Sequence, residues 1–259
     1  MTDDGNGAGE RDEPMVRAEN VTLSLGGRRV LDGVSFELTR GESLAILGAS
    51  GSGKTTLLRL VLALAEPDEG EIWVAGYPLS RCSFEDILKL RRDIGMVFQG
   101  SALFDSMSVL ENVAFPLREY TDLPDPEIRE RVHETLRIVD LDPDQVEHQL
   151  PAELSGGMQK RVAIARAIAP RPDMLLFDEP TGGLDPITTR TINELIVKLR
   201  EELGVSAIVV THDIRSALHT ADRVALLHEG RLVFVGTPAE MKESKDDYVQ
   251  EFLGEALFT

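Results

Sequence analysis

The chain has 259 residues, 42% of them hydrophobic, enough to fill the core of one large α/β domain and to exclude global disorder. Its 45 acidic against 27 basic residues give a net charge of −18, a surface repelled by nucleic acid and by anionic lipid headgroups. A lone cysteine, Cys82, excludes an intrachain disulfide framework, and apolar runs such as 60–65 and 207–210 are far shorter than the ~20 residues that cross a bilayer.

No apolar signal core follows the polar, acidic residues 1–13, so a disordered leader is expected over 1–14. Val16–Leu25 and 34–38 alternate apolar and polar residues, as half-buried antiparallel strands do, with Gly26-Gly27 as the turn. Ser43–Leu47 is a short apolar run that reads as a buried strand, followed by a helix over 54–65 that Pro67 stops. Short strands are expected at 71–74 and 95–98. From Ser101 to Ala169 the strand signal gives way to helical periodicity, punctuated by Pro124-Asp125-Pro126 and Pro143. Strands return at Met174–Asp178, 207–211, 224–228 and 232–235. This order predicts one α/β core with a helical insertion. The end, 247–259, fits an amphipathic helix carrying Tyr248, Phe252, Leu253 and Phe258, suited either to its own core or to a partner.

Gly48-Ala49-Ser50-Gly51-Ser52-Gly53-Lys54-Thr55 fits G-x-x-x-x-G-K-[ST], with a buried strand before it and a helix after it. In that setting backbone N–H groups curl around phosphate oxygens at a helix N-terminus, whose partial positive charge favours anions. Lys54 reaches the β- and γ-phosphates, the Thr55 hydroxyl ligates Mg²⁺, and Thr56 follows in the same nucleotide-binding turn. Met174–Asp178 delivers Asp178 and Glu179 to the C-terminal end of a buried strand, where open α/β sheets bind ligands. Asp178 then holds Mg²⁺ directly or through water, and Glu179 polarises the water that attacks the γ-phosphorus; a structural ion pair is the plainer alternative. Leu154-Ser155-Gly156-Gly157-Met158 opens a helical run, with Ser155 as the N-cap and the two glycines leaving room for a phosphate. It forms a second anion-binding helix start, lying between the phosphate loop and the Asp-Glu strand.

With these three motifs the chain resembles the ATP-binding-cassette (ABC) ATPases over nearly its whole length. The resemblance implies a P-loop NTPase (RecA-like) α/β core with an antiparallel β subdomain and an inserted α-helical subdomain. It places a single ATPase domain over 15–240, with 15–98 and 171–240 as core and β subdomain, 99–170 as helical subdomain and 241–259 as a helical tail. It makes Gln99 the Q-loop glutamine, a Mg²⁺ and water sensor, Gly183-Leu184-Asp185 the D-loop, and His212 the switch histidine at the γ-phosphate. It also implies a head-to-tail homodimer in which the phosphate loop of one subunit and Ser155, Gly156 and Gly157 of the other close over one ATP.

Two positions depart from the family pattern. Leu25 stands where an aromatic usually stacks on adenine, and Met158 where most relatives have Gln. That methionine, with the segments 99–107, 112–119 and 184–187, resembles the subgroup of Mla/MCE-type lipid-transport ATPases. The subgroup implies an integral membrane permease docked on 100–118, with Leu103, Phe104 and Met107 as apolar anchors or as ordinary packing. It further implies an MCE-domain lipid carrier, a small regulatory subunit and a place on the cytoplasmic face of the inner membrane. An importer ATPase for amino acids or other small solutes is the near rival. A clamp acting on DNA or ribosomes is the distant one, disfavoured by the acidity and the absence of a coiled-coil insertion or a tandem cassette. Base–aromatic stacking is worth about 1–3 kcal/mol, so Leu25 predicts weak base discrimination unless Arg28 or Arg29 supplies a cation–π contact. Comparable cleavage of GTP and ATP is the expected result; strict adenine selectivity would contradict it.

Overall fold

The computed structural model describes residues 13–257. The expected leader up to residue 12, and Phe258 of the expected tail, lie outside the described residues. The first two strands, β1 (Val16–Leu25) and β2 (Arg28–Leu38), form an antiparallel hairpin around Gly26 and Gly27. Both glycines have positive φ, 58° and 78°, as a tight hairpin turn requires. β2 begins six residues earlier than the alternation predicts, because Arg28, Arg29 and Leu31 pair back on Leu25, Ser24 and Leu23 across register shifts that break the period of two. The hairpin joins β4 (Glu69–Val74) and β5 (Tyr77–Pro78) in a four-stranded antiparallel sheet ordered β2-β1-β4-β5.

The second sheet holds β3 (Ser43–Leu47), β6 (Ile94–Val97), β7 (Met174–Asp178), β8 (Ser206–Thr211), β9 (Arg223–His228) and β10 (Arg231–Gly236). Its order is β10-β9-β3-β8-β7-β6, with every pair parallel except β10 on β9. Successive side chains of the central strands enter different cores, as the pleat dictates. Leu44, Ile46, Leu176, Ile208, Val210 and Ala225 face the antiparallel sheet and α1 (Lys54–Val61). Leu175, Phe177, Ala207 and Val209 face the other way, towards the helices. Both faces are covered, which is why these strands read as unbroken apolar runs rather than alternating ones.

α1 stops at Val61 rather than at 65. Ala63 takes a left-handed conformation (φ 52°), and Arg91 donates to the carbonyls of Leu62 and Ala63, each at 2.9 Å, satisfying the freed helix end. Arg91 belongs to α2 (Phe84–Arg92), in which Phe84 and Leu88 are exposed and Leu90 alone is buried. A capping box between Ser83 and Asp86 starts it.

Between β6 and β7 lie α3 (Val109–Tyr120), α4 (Asp125–Ile138), α5 (Pro143–Val146) and α6 (Gly156–Ile168), packed around Val113, Leu117, Val132, Leu136 and Ile164. Asn112, fully buried in α3, pins the loop before it. Its carbonyl oxygen accepts from Phe104 N at 2.8 Å, and its amide donates to the carbonyls of Phe104, Met107 and Ser108. α7 (Pro186–Leu203) and α8 (Ile214–Thr220) flank the sheet, followed by α9 (Pro238–Glu243) and α10 (Asp247–Leu257). Val249 and Leu253 of α10 are buried against Ile214, Ala217 and Met241, and Tyr248 lies 3.8 Å from the ring of His228. The C-terminal helix thus packs on its own chain.

Replacing Asn112 with Ala leaves Phe104 N and the Met107 carbonyl without their side-chain partner, while the Phe104 and Ser108 carbonyls keep the backbone donors Met107 N and Asn112 N. A stability loss of about 1–3 kcal/mol is expected, read as a lowered thermal or denaturant midpoint; an unchanged midpoint would contradict the pinning role.

Candidate active site

Parallel register brings four strand ends to one edge of the larger sheet. Leu47 pairs with Thr211, Asp178 with Val210, and Val97 with Phe177. The segments that follow these ends carry the phosphate loop, His212, Glu179 and Gln99. β8 lies between β3 and β7, so residues far apart in sequence meet at one sheet edge.

The phosphate loop leaves β3 at Gly48 and ends at Gly53, the N-cap of α1. A Cβ on Gly48 would lie 2.4 Å from the carbonyl oxygen of Leu227 and 2.7 Å from Ser52 Oγ, so no other residue fits there. Ser52 Oγ is buried with no hydrogen-bond partner among the described residues, a polar atom in a loop shaped for oxygen ligands. Ala49, Ser50 and Gly51 form the exposed rim and line a side cleft of about 390 Å³ with Arg28, Arg29, Leu227 and His228. Leu25 is 48% exposed at the hairpin turn and does not line this cleft. Thr56 is half-buried on the first turn of α1.

Lys54 is buried, and its Nζ donates to the carbonyls of Gly48 (2.8 Å) and Ala49 (3.1 Å) while lying 3.7 Å from Glu179 Oε1. Burial lowers its pKa, against the pull of Glu179 and Asp178. Thr55 Oγ1 donates to both carboxylate oxygens of Asp178 at 3.1 Å. Burial raises the Asp178 pKa, the Thr55 hydroxyl lowers it, and the neighbouring Glu179 raises it further. A hydroxyl beside one carboxylate suits Mg²⁺, which takes few protein ligands and completes its shell with water and phosphate oxygens. Among the described residues no group of three or more His, Cys, Asp or Glu forms a self-sufficient metal cage. The Thr55 hydroxyl and the Asp178 carboxylate, 3.1 Å apart, suit a metal that shares its shell with a nucleotide's phosphates.

Glu179 is buried, and its Oε2 is approached by Thr211 Oγ1 (3.0 Å), His212 Nδ1 (3.0 Å) and the His212 backbone N–H (3.4 Å). Its backbone is left-handed (φ 47°), a conformation that costs a non-glycine residue about 1–3 kcal/mol. The N–H bonded to Val210 O (2.9 Å) and the carbonyl accepting from Gly182 N (3.1 Å) hold it there. Beside Glu179 opens a cleft of about 910 Å³ lined by Gly182, Leu184, His212 and Asp213 among others. Gln99 is at hand, since a Cβ on Gly182 would lie 3.6 Å from Glu179 Cβ and 4.0 Å from Gln99 Nε2.

Ser155 N-caps α6 by accepting from Met158 N at 3.3 Å. Gly157 has a reason inside the chain: a Cβ there would lie 2.6 Å from Thr188 Cγ2. Gly156 meets only Leu184 Cδ2, at 3.6 Å. Asp185 N-caps α7 through Ile187 N and Thr188 N, and its hydrogen bonds with Thr188 hold its carboxyl below the usual range. Ser155, Gly156 and Gly157 line neither the cleft beside Glu179 nor that beside the phosphate loop. The structure thus gathers Lys54, Thr55, Asp178, Glu179, Gln99 and His212, whereas Ser155–Gly157 and Asp185 are not among the residues lining these two clefts.

Three neighbours of this site escaped the motifs. Thr211 ends an otherwise apolar buried strand, a polar residue that needs a partner there. Lys160 and Arg166 of α6 reach the Gln99 loop. Of the expected anchors Leu103, Phe104 and Met107, Phe104 alone is largely exposed (40%), whereas Leu103 packs on the helical core. Phe104 instead shares a groove with Phe98, Phe115, Tyr120 and Arg166.

A family model described as ABC transporter matches residues 31–182. The methionine import ATP-binding protein MetN of Carboxydothermus hydrogenoformans is 43% identical over 88% of this chain and 67% of its own length. The intermembrane phospholipid transport system ATP-binding protein MlaF of Haemophilus influenzae is 40% identical over 92% of this chain and 90% of its own. The dimeric post-hydrolysis structure of the ATP-binding cassette MJ0796 bound to ADP and Pi superposes with a TM-score of 0.78 at 37% identity, covering 86% of this chain and 99% of that one. With this fold, these motifs and these relatives, the chain belongs to the ABC transporter family, as an ATP-binding, ATP-hydrolysing transporter subunit.

Proposed function

We propose that this subunit closes as a homodimer on two ATP molecules with Mg²⁺ and drives a separate membrane permease of the Mla/MCE lipid-transport kind. The observation that carries the ATPase mechanism is Glu179, buried, strained and held by Thr211 and His212 at the end of β7. In this reading Glu179 orients and polarises the attacking water. Lys54 exchanges the Gly48 and Ala49 carbonyls for phosphate oxygens and neutralises their charge. His212 exchanges Glu179 for the γ-phosphate. Thr55, Asp178 and Gln99 hold the metal, which when bound neutralises the β- and γ-phosphate oxygens. Gly48–Gly53 and Thr56 bind the nucleotide from one side.

Ser155, Gly156 and Gly157, outside the clefts of their own subunit, bind the ATP of the second copy, with Asp185 at the seam. One helix start then holds the phosphates and another caps them, so ATP favours the closed pair and its hydrolysis releases it. The dimeric state of the MJ0796 relative supports this arrangement. Among the described residues no helix is long and apolar enough to cross a membrane, in keeping with attachment through a permease on the cytoplasmic face of the inner membrane. The groove of Phe98, Phe104, Phe115 and Tyr120, within and beside 100–118, is the proposed permease seat.

Lipid as cargo is supported by the likeness to MlaF and by Met158 at the fifth signature position. An MCE-domain carrier and a small regulatory subunit are its proposed further partners, and nucleic acid is not. The likeness to MetN supports small-solute import as a second reading.

Glu179→Gln should trap an ATP-bound dimer with turnover reduced by about 100-fold or more, since charge at the water is lost while phosphate contacts remain. Turnover near wild type would remove Glu179 as the base. Purified from its host, the chain should bring down a permease carrying phospholipid. Phe104→Glu should lose that permease while still binding ATP; a permease that carries no lipid would favour the small-solute reading.

A further inference from the structure

Two cations of α6 leave their helix for a single stretch of backbone. Lys160 Nζ donates to the carbonyl of Gln99. Arg166 donates through Nη1 to the carbonyl of Ala102 (2.7 Å) and through Nη2 to that of Ser101 (2.8 Å). Lys160 is only 4% exposed. It lies on the same helical stripe as Ala163, Ile164, Ala167 and Ile168, all buried, where a lysine needs a partner for its charge. Burial lowers the Lys160 pKa, and the carboxylates of Asp178 and Glu179 oppose that shift.

The loop is shaped to meet these donors. Ser101 and Ala102 are consecutive left-handed residues (φ 63° and 47°), a conformation disfavoured by their Cβ atoms. The planar fork of Arg166 spans both of their carbonyls, a geometry that lysine does not reproduce. At the far end Asn112 holds Phe104 through its N–H and carbonyl. Residues 99–104 are therefore fastened to the helical insertion, whereas β6 of the sheet ends at Val97.

We propose that Lys160 and Arg166 are positioning residues for Gln99, tying the loop 99–102 to the helix that starts at Ser155 so that Gln99 and the signature start approach nucleotide as one unit. Any rotation of the helical insertion then carries Gln99 with it, and the bend falls at Phe98. The proposal rests on the role given to Gln99 above.

The test compares kcat, nucleotide KM and Mg²⁺ half-saturation in the full-length chain for K160M, K160R, R166K, Q99A and the double variant of Q99A with K160M. Displacement of a positioned group by about 1 Å costs on the order of 100-fold. K160M should accordingly lower kcat by about 10-fold or more and raise the Mg²⁺ half-saturation, while nucleotide KM stays within about 2-fold. K160R should restore both. On the Q99A background K160M should cost less than about 2-fold, because the residue it positions is gone. An equal cost on both backgrounds would overturn the proposal, as would a loss that follows the thermal midpoint alone. If Q99A itself turns over at the wild-type rate, the role of Gln99 fails, and amide hydrogen exchange over 99–104 decides the tie. Faster exchange there in K160M and R166K sustains it; unchanged exchange overturns it.

Discussion

The register of four parallel strands is the constraint on which the site depends. β3, β8, β7 and β6 pair residue for residue, so that Leu47, Thr211, Asp178 and Val97 all approach one sheet edge. A slip of one residue would turn Leu175 and Phe177 out of the helical core and Leu176 out of the opposite one. The apolar cost of such a slip protects the position of the polar residues at the strand ends. Lys54, Glu179 and His212 are held by packing that occurs several residues away from them.

The charges at that edge are buried and are kept by one another. Lys54 lies on two loop carbonyls and near Glu179, Asp178 on Thr55, and Glu179 on Thr211 and His212. Each of these contacts is made to a group that is also suited to a phosphate, a metal or a water. These internal contacts limit the desolvation cost of burying the charges of Lys54, Asp178 and Glu179. The left-handed backbone of Glu179 belongs to the same arrangement, since strain persists where the surroundings fix it.

Much of this was legible in the chain, and the failures have physical causes. β1, β3 and β7 match their expected limits; β3 and β7 do so because each is a short apolar run between charged or glycine residues. β2 was read short because a bulged hairpin does not keep a period of two. α2 carries apolar residues at helical spacing, Phe84, Ile87 and Leu88, but is short and rich in charge; a capping box and the Arg91 contact to the end of α1 hold it in place. The choice between anchor and ordinary packing at Leu103 stays open in the sequence because a residue's side of a loop is not encoded in its neighbours; in space it packs on the helical core while Phe98 and Tyr120 join Phe104 in the groove.

Residue types at fixed spacing determined the chemistry by themselves. A glycine loop ending in Lys54 and Thr55, an acidic pair after a buried strand and a serine-capped helix leave few alternatives to a triphosphate, because each element works through local backbone geometry. Tertiary structure decided what depends on distant partners. It set Gly157 against Thr188, turned the C-terminal helix onto its own chain, and brought Lys160 and Arg166 to the Gln99 loop across more than sixty residues of sequence. A lysine on an apolar stripe announces that it needs a partner; only the fold names which one.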